Sequence, residues 1–131
     1  MKSKVEVYTE KGYIYTRVVL YPDELKEMDE HYRELGYRWL EATTVEESGY
    51  FGVEEIPLPL LLQLLLAEKF RYPEISENED TVWATDQNSL CLDPVGTIVA
   101  TLKFGKFMAE SFKVPLVVKI EETIKFADEE S

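Results

Sequence analysis

The sequence predicts a single α+β domain, with a mainly antiparallel sheet of about five to six strands packed against two to three helices. Three observations predict it. Apolar and polar residues alternate near both ends of the chain, the period of half-buried strands. Two stretches between them carry helical spacing or an unbroken apolar run. The chain has 131 residues and is 45% hydrophobic, enough for one core that buries about two-thirds of the unfolded surface. The expected domain spans residues 1–125, with 126–131 a frayed acidic tail.

Lys4 to Glu10 sets Val5 and Val7 against charged residues. Lys11-Gly12 can turn, and Tyr13 to Tyr21 resumes with Ile14, Val18 and Leu20 on one face, which reads as a β-hairpin. Pro22 suits a first helical position, Asp23 and Glu24 favour a helix N-terminus, and Gly36 suits the C-terminal cap. A helix over Pro22–Leu35 follows, its apolar stripe being Leu25, Met28, Tyr32 and Leu35. Tyr37 to Val45 reads as a third strand that Glu46-Glu47-Ser48-Gly49 ends, with a short extended piece around Tyr50 to Val53.

From Ile56 to Ala67 only Gln63 interrupts the apolar residues. Pro57 and Pro59 hold the backbone extended until Leu60, and a helix then runs to Phe70. Leucines occupy roughly two-thirds of its circumference, so it needs cover from the chain's own core, from a second copy, or from a membrane surface. Leu61, Leu62, Leu65 and Leu66 are the candidate oligomer-interface residues. Twelve residues fall short of the roughly 20 that a spanning helix needs, so no membrane span is expected.

Arg71 to Asp80 reads as a polar, flexible loop. Thr81–Thr85 is a short strand, Asp86-Gln87-Asn88-Ser89 a turn, and Leu90-Cys91-Leu92 an apolar piece. Asp93-Pro94 is an N-cap followed by proline at the first helical position. The helix it opens runs to about Phe112, with Ile98, Val99, Leu102, Ala109 and Phe112 inward and with Gly96 and Gly105 each weakening it by about 1 kcal/mol. A strand over Thr97–Phe104 is the competing assignment. Val114 to Glu121 alternates Val114, Leu116, Val118 and Ile120 and closes the sheet.

Asp and Glu outnumber Lys and Arg by 26 to 14, a net charge of -12. That balance excludes a phosphate backbone as direct partner, because nucleic-acid affinity comes from cations displacing counterions. Anionic membrane surfaces are repelled as well. Basic proteins and cations are the natural partners of such an exterior. Cys91 is alone, so no intrachain disulfide can form, and with no export signal at the N-terminus the expected compartment is the cytoplasm. Side-chain amides are few, at Gln63, Asn78, Gln87 and Asn88, a composition that leans towards a thermophilic source.

His31 is the one imidazole, placed near Glu27 and Glu34 on the first helix; that spacing arises readily on a Glu-rich helix, so a surface histidine is the expectation. Cys91 between Leu90 and Leu92 reads as a small core residue rather than a nucleophile. Trp83, Asp86, Asn88 and Asp93 are the candidate partner-binding or ligand-binding residues: an aromatic ring and short polar groups at a strand end, where binding residues are displayed. The pairs Glu46/Glu47, Glu54/Glu55 and Glu121/Glu122 read as solvated charge, since neighbours on a strand point to opposite faces. Nucleotide-loop, zinc, kinase and hydrolase motifs are missing; no catalytic residue, metal or cofactor is assigned.

The order of a strand at Thr81–Thr85, a turn at Asp86, a helix, and a strand over Pro115–Glu121 is similar to the closing part of small ADP-ribosyltransferase-like domains, over roughly a third of the chain. The resemblance assigns none of the present residues to that family's nucleotide-gripping His or catalytic Glu. The sequence thus supports a non-catalytic acidic interaction protein with a basic protein partner, as a nucleic-acid mimic or a homo-oligomer. The alternative is a small enzyme with a polar cleft near Trp83, Asp86 and Asp93, acting on a nucleotide.

Overall fold

The computed structural model describes residues 2–36, 57–78 and 80–121. The expected strand Tyr37–Val45, the extended piece at Tyr50–Val53 and the tail 126–131 lie outside the described residues. The architecture is α+β. Strands β1 (Lys4–Glu10), β2 (Tyr13–Leu20), β3 (Glu74–Ile75), β4 (Val82–Ser89) and β5 (Leu116–Lys119) form one sheet in the order β3-β4-β2-β1-β5. Helix α1 covers residues 29–36, α2 Leu58–Lys69 and α3 Pro94–Phe112.

The sheet is mixed rather than mainly antiparallel. The β1/β2 and β3/β4 pairs are antiparallel, while β5 pairs with β1 in parallel. The reason is α3: a helical crossover between strands delivers the next strand to the sheet in a parallel sense.

Chain contacts concentrate in two units, residues 3–19 with 85–131, and residues 1–2 with 20–84. In the first, the β1/β2 hairpin closes at Lys11-Gly12, both at positive φ (50° and 83°), the two-residue turn whose twist suits antiparallel strands. Val5, Val7, Ile14 and Val18 are fully buried, as the alternation requires. The predicted helix over the rival strand Thr97–Phe104 is α3, which packs on β1. Ile98 and Leu102 join Leu116 against the buried cluster Val7, Ile14 and Leu90. Val99, expected inward, is 46% exposed because Thr101, Gly105, Met108, Ala109 and Phe112 define the buried face. Val118, one of the alternating residues of the closing strand, is 46% exposed on the edge strand β5. Lys113 ends α3 in the left-handed conformation at φ 55°.

β4 continues to Ser89, where a turn was expected from Asp86. Asp, Asn and Ser favour turns only through local hydrogen bonds, and sheet pairing overrides that preference. Leu90 N–H then donates to the Gly12 carbonyl at 2.9 Å, so β4 ends beside the hairpin turn. The chain bends at Cys91-Leu92; Cys91 is exposed rather than a core residue, and Leu92 is 98% exposed.

In the second unit the helix expected over Pro22–Leu35 divides. Pro22–Met28 is 3₁₀, opened without a side-chain cap and by the Glu24 N–H on the Tyr21 carbonyl, and α1 follows. Leu25 and Tyr32 are buried as expected; Met28 and Leu35 are half-buried. α2 begins at Leu58, two residues before the expected Leu60, because proline in a first helical turn loses no hydrogen bond and Pro59 sits there. Leu61, Leu62 and Leu66 are completely buried within the chain, Leu65 is half-buried, and Leu60 is 41% exposed. A Cβ at Gly36 would collide with the Leu61 side chain, so this position of α1 needs a residue small enough to admit that leucine. The stretch expected to be a flexible loop holds β3, which pairs Glu74 with Trp83 and Ile75 with Val82, and Ser76 N–H donates to the Thr81 carbonyl at 2.9 Å.

Candidate functional site

The end of β4 and the first turns of α3 enclose a concavity of about 510 Å³, lined by Asp86, Asn88, Asp93, Gly96, Thr97, Ala100, Thr101 and Phe104. Asp86 and Asn88 are two apart on a strand and so share a face. Asn88 Nδ2 donates to Asp86 Oδ2 at 3.3 Å, which fixes the amide beside the carboxylate. Asp93 arrives from the other side as the cap of α3, its Oδ1 accepting from Gly96 N–H at 3.0 Å. A Cβ at Gly96 would collide with that carboxylate, so glycine is what lets the cap close.

From α3 come Gly96, Ala100 and Phe104 at four-residue intervals, with Thr97 and Thr101 one row over. The Thr101 hydroxyl donates to the Thr97 carbonyl at 2.7 Å, so its proton is taken up within the helix. Two carboxylates and an amide line this hollow, with no Lys or Arg among the described residues, and its chemistry is that of a hydrogen-bond acceptor for cationic donors.

Three of the four candidates, Asp86, Asn88 and Asp93, thus meet in one hollow. Trp83 does not line it. Being an odd number of residues from Asp86 along the same strand, its side chain leaves β4 from the opposite face. Thr97, Ala100 and Phe104 went unmarked in the sequence, where they read only as part of an amphipathic helix; the four-residue row from the N-cap carries the signal.

A second concavity, about 420 Å³, is lined by Glu6, Tyr8, Thr9, Arg17, Lys119 and Glu121. Here charge is internally paired. The Glu6 carboxylate, only 14% exposed, lies 3.5 Å from Lys4 Nζ and 3.6 Å from Lys119 Nζ. Tyr8 stacks on Tyr15 with ring centroids 4.9 Å apart, and its burial pushes the phenol upward while the Arg17 charge pulls the other way. Glu121 N–H donates to Thr9 Oγ1 at 3.0 Å and closes one end. Because its charges already answer one another, this hollow offers less unmatched charge than the first.

His31 is half-buried with its ring edge-on to Tyr32 at 5.4 Å. Among the described residues no three His, Cys, Asp or Glu side chains are grouped to hold a metal ion, and no helix is long and apolar enough to cross a membrane. Of the candidate interface leucines, Leu61, Leu62 and Leu66 are enclosed by their own chain, which leaves Leu65 as the one with partial exposure. Compared with protein-family models, with curated proteins and with solved structures, the chain matches none.

Proposed function

We propose that this protein is a non-catalytic acidic interaction protein of the cytoplasm that binds a basic protein partner, with Asp86, Asn88 and Asp93 as the contact. One observation carries the reading: two carboxylates share a hollow that no Lys or Arg among the described residues lines, on a chain of net charge -12. The overall charge steers a basic partner inward, and the hollow supplies acceptors once it arrives. Presented to a cleft that ordinarily receives phosphates, the same carboxylates act as a nucleic-acid mimic.

The test is titration of the protein against a Lys/Arg-rich peptide at low and moderate salt. The Asp86→Asn/Asp93→Asn pair keeps the cap geometry and removes both charges. At about 0.2–1 kcal/mol per exposed ion pair, affinity should fall roughly two- to thirtyfold. Equal binding by the double variant, or none by the parent protein at low salt, would overturn the reading.

A second reading, a small enzyme handling a nucleotide, draws on the same convergence of Asp86 and Asp93, since acid-base chemistry uses carboxylates facing one space. Asp93 is already engaged by Gly96 N–H, which favours the binding reading. A thermal-shift screen with nucleotides separates them: stabilisation lost in Asp86→Ala would promote the enzyme.

A further inference from the structure

The second hollow is built by strand register. Glu6 pairs with Arg17 and Tyr8 with Tyr15 across β1/β2, and Tyr8 pairs with Lys119 across β1/β5. Paired residues on neighbouring strands leave the same face of a sheet, and Glu6 and Tyr8 alternate with Val7, which packs towards Gly105 of α3. The hollow therefore lies on the face turned away from α3. Glu121 follows β5 and is tied in by its N–H on Thr9 Oγ1 at 3.0 Å.

Among the described residues the lining carries both signs in equal number, Arg17 and Lys119 against Glu6 and Glu121. A ligand of single charge meets as many like charges here as opposite ones, and a net anion is repelled by the whole chain at -12 as well. A zwitterion escapes both costs, because it is neutral from afar and finds a counter-charge for each end. The Glu6 carboxylate, only 14% exposed, is the fixed centre between Lys4 and Lys119. At 3.5 and 3.6 Å both ammoniums stand outside the about 2.7–2.9 Å of a charge-assisted hydrogen bond, so the exposed Lys119 keeps donors for a further acceptor.

We propose that this hollow binds a free aromatic α-amino acid as its zwitterion, the carboxylate on Arg17 and Lys119, the ammonium on Glu121 and the ring against Tyr8. The planar guanidinium of Arg17 matches a carboxylate in shape as well as charge. Tyr8 is braced from behind by Tyr15, with ring planes 13° apart, and gives the ligand's ring an aromatic neighbour. The volume of about 420 Å³ falls at the small end of the ~300–1,000 Å³ of small-molecule sites, the size for one amino acid.

Titration of phenylalanine into the isotope-labelled full chain, followed by backbone amide NMR, tests the proposal. The expected result is saturable shifts centred on β1, β2 and β5. N-acetylphenylalanine lacks the ammonium and phenylalanine amide lacks the carboxylate, so each should bind about tenfold more weakly, having lost one charge-assisted contact. Lys119→Gln and Glu121→Gln, both at exposed positions, should each weaken phenylalanine by a similar factor with unchanged circular dichroism. Lys119→Gln should leave the amide's binding as it was, since the amide has no carboxylate to lose. Absence of saturable shifts, capped forms that bind as well as phenylalanine, or an affinity indifferent to both substitutions overturns the proposal. Asp86 and Asp93 take no part in this site, so none of these outcomes bears on binding of basic peptides.

Discussion

Gly105 of α3 stands so close to Val7 of β1 that a Cβ on it would come 2.6 Å from Val7 Cγ2 and 3.3 Å from Leu116 Cδ1. Val7 is fully buried and β-branched, so its methyl cannot swing aside. Two effects of Gly105→Ala oppose each other. Helix propensity favours alanine by about 1 kcal/mol, while overpacking a tight contact costs about 1–3 kcal/mol. The contact should win, so Gly105→Ala is expected to lower the urea midpoint, and Val7→Ala in the same chain should restore part of the loss that the glycine substitution causes. A stabilised Gly105→Ala would show that α3 does not lie on β1 at this distance.

The cap of α3 gives a second prediction. Asp93→Ala removes the acceptor for Gly96 N–H and is expected to cost about 1 kcal/mol, with Asp93→Asn close to neutral. Gly96→Ala should be as costly as losing the cap, despite alanine's better propensity, because its Cβ collides with the capping carboxylate. Thermal denaturation of the three variants checks the order.

The hairpin, the cap at Asp93-Pro94 and the buried leucine helix were readable because each is written in near neighbours: a two-residue period, a cap and proline side by side, an apolar run. What escaped depends on residues far apart in the chain. Gly105 read as a weakness of α3, since nothing local announces Val7 and Leu116. Asp86 to Ser89 read as a turn on their side chains' local preferences, though their pairing makes them strand. That misreading carried Trp83 into the site, because the alternation that puts it on the opposite face from Asp86 exists only if the strand continues. The leucine run announced burial without saying which leucines, and contact with Gly36 selects Leu61 among them.

Leu61 and Leu60 are adjacent and chemically identical, yet one is fully buried and the other 41% exposed. Leu61→Ala is expected to cost about 2–5 kcal/mol, the range for a core leucine. Leu60→Gln should stay within about 0.5 kcal/mol. Urea unfolding of both variants reads the difference, and similar losses at the two positions would mean that the helix is turned otherwise.

Tyr32 is fully buried, and loss of solvation pushes its phenol from 10.0 up to about 12. The folded state therefore holds the proton more tightly than the unfolded chain. Up to pH 10 the phenol is protonated in both states and the full contribution is present. Between pH 10 and 12 the unfolded chain releases its proton first, so stability falls as pH rises, and beyond about 12 the contribution is gone. A shift of this size corresponds to about 2–3 kcal/mol. Tyr32→Phe has no proton to release, so its stability should decline less steeply than the parent's across that window. Tyr8, also raised by burial, remains in both chains, so the variant retains part of the slope. Urea midpoints at intervals from pH 9 to 12 measure the two slopes, and parallel curves would place the Tyr32 hydroxyl in water.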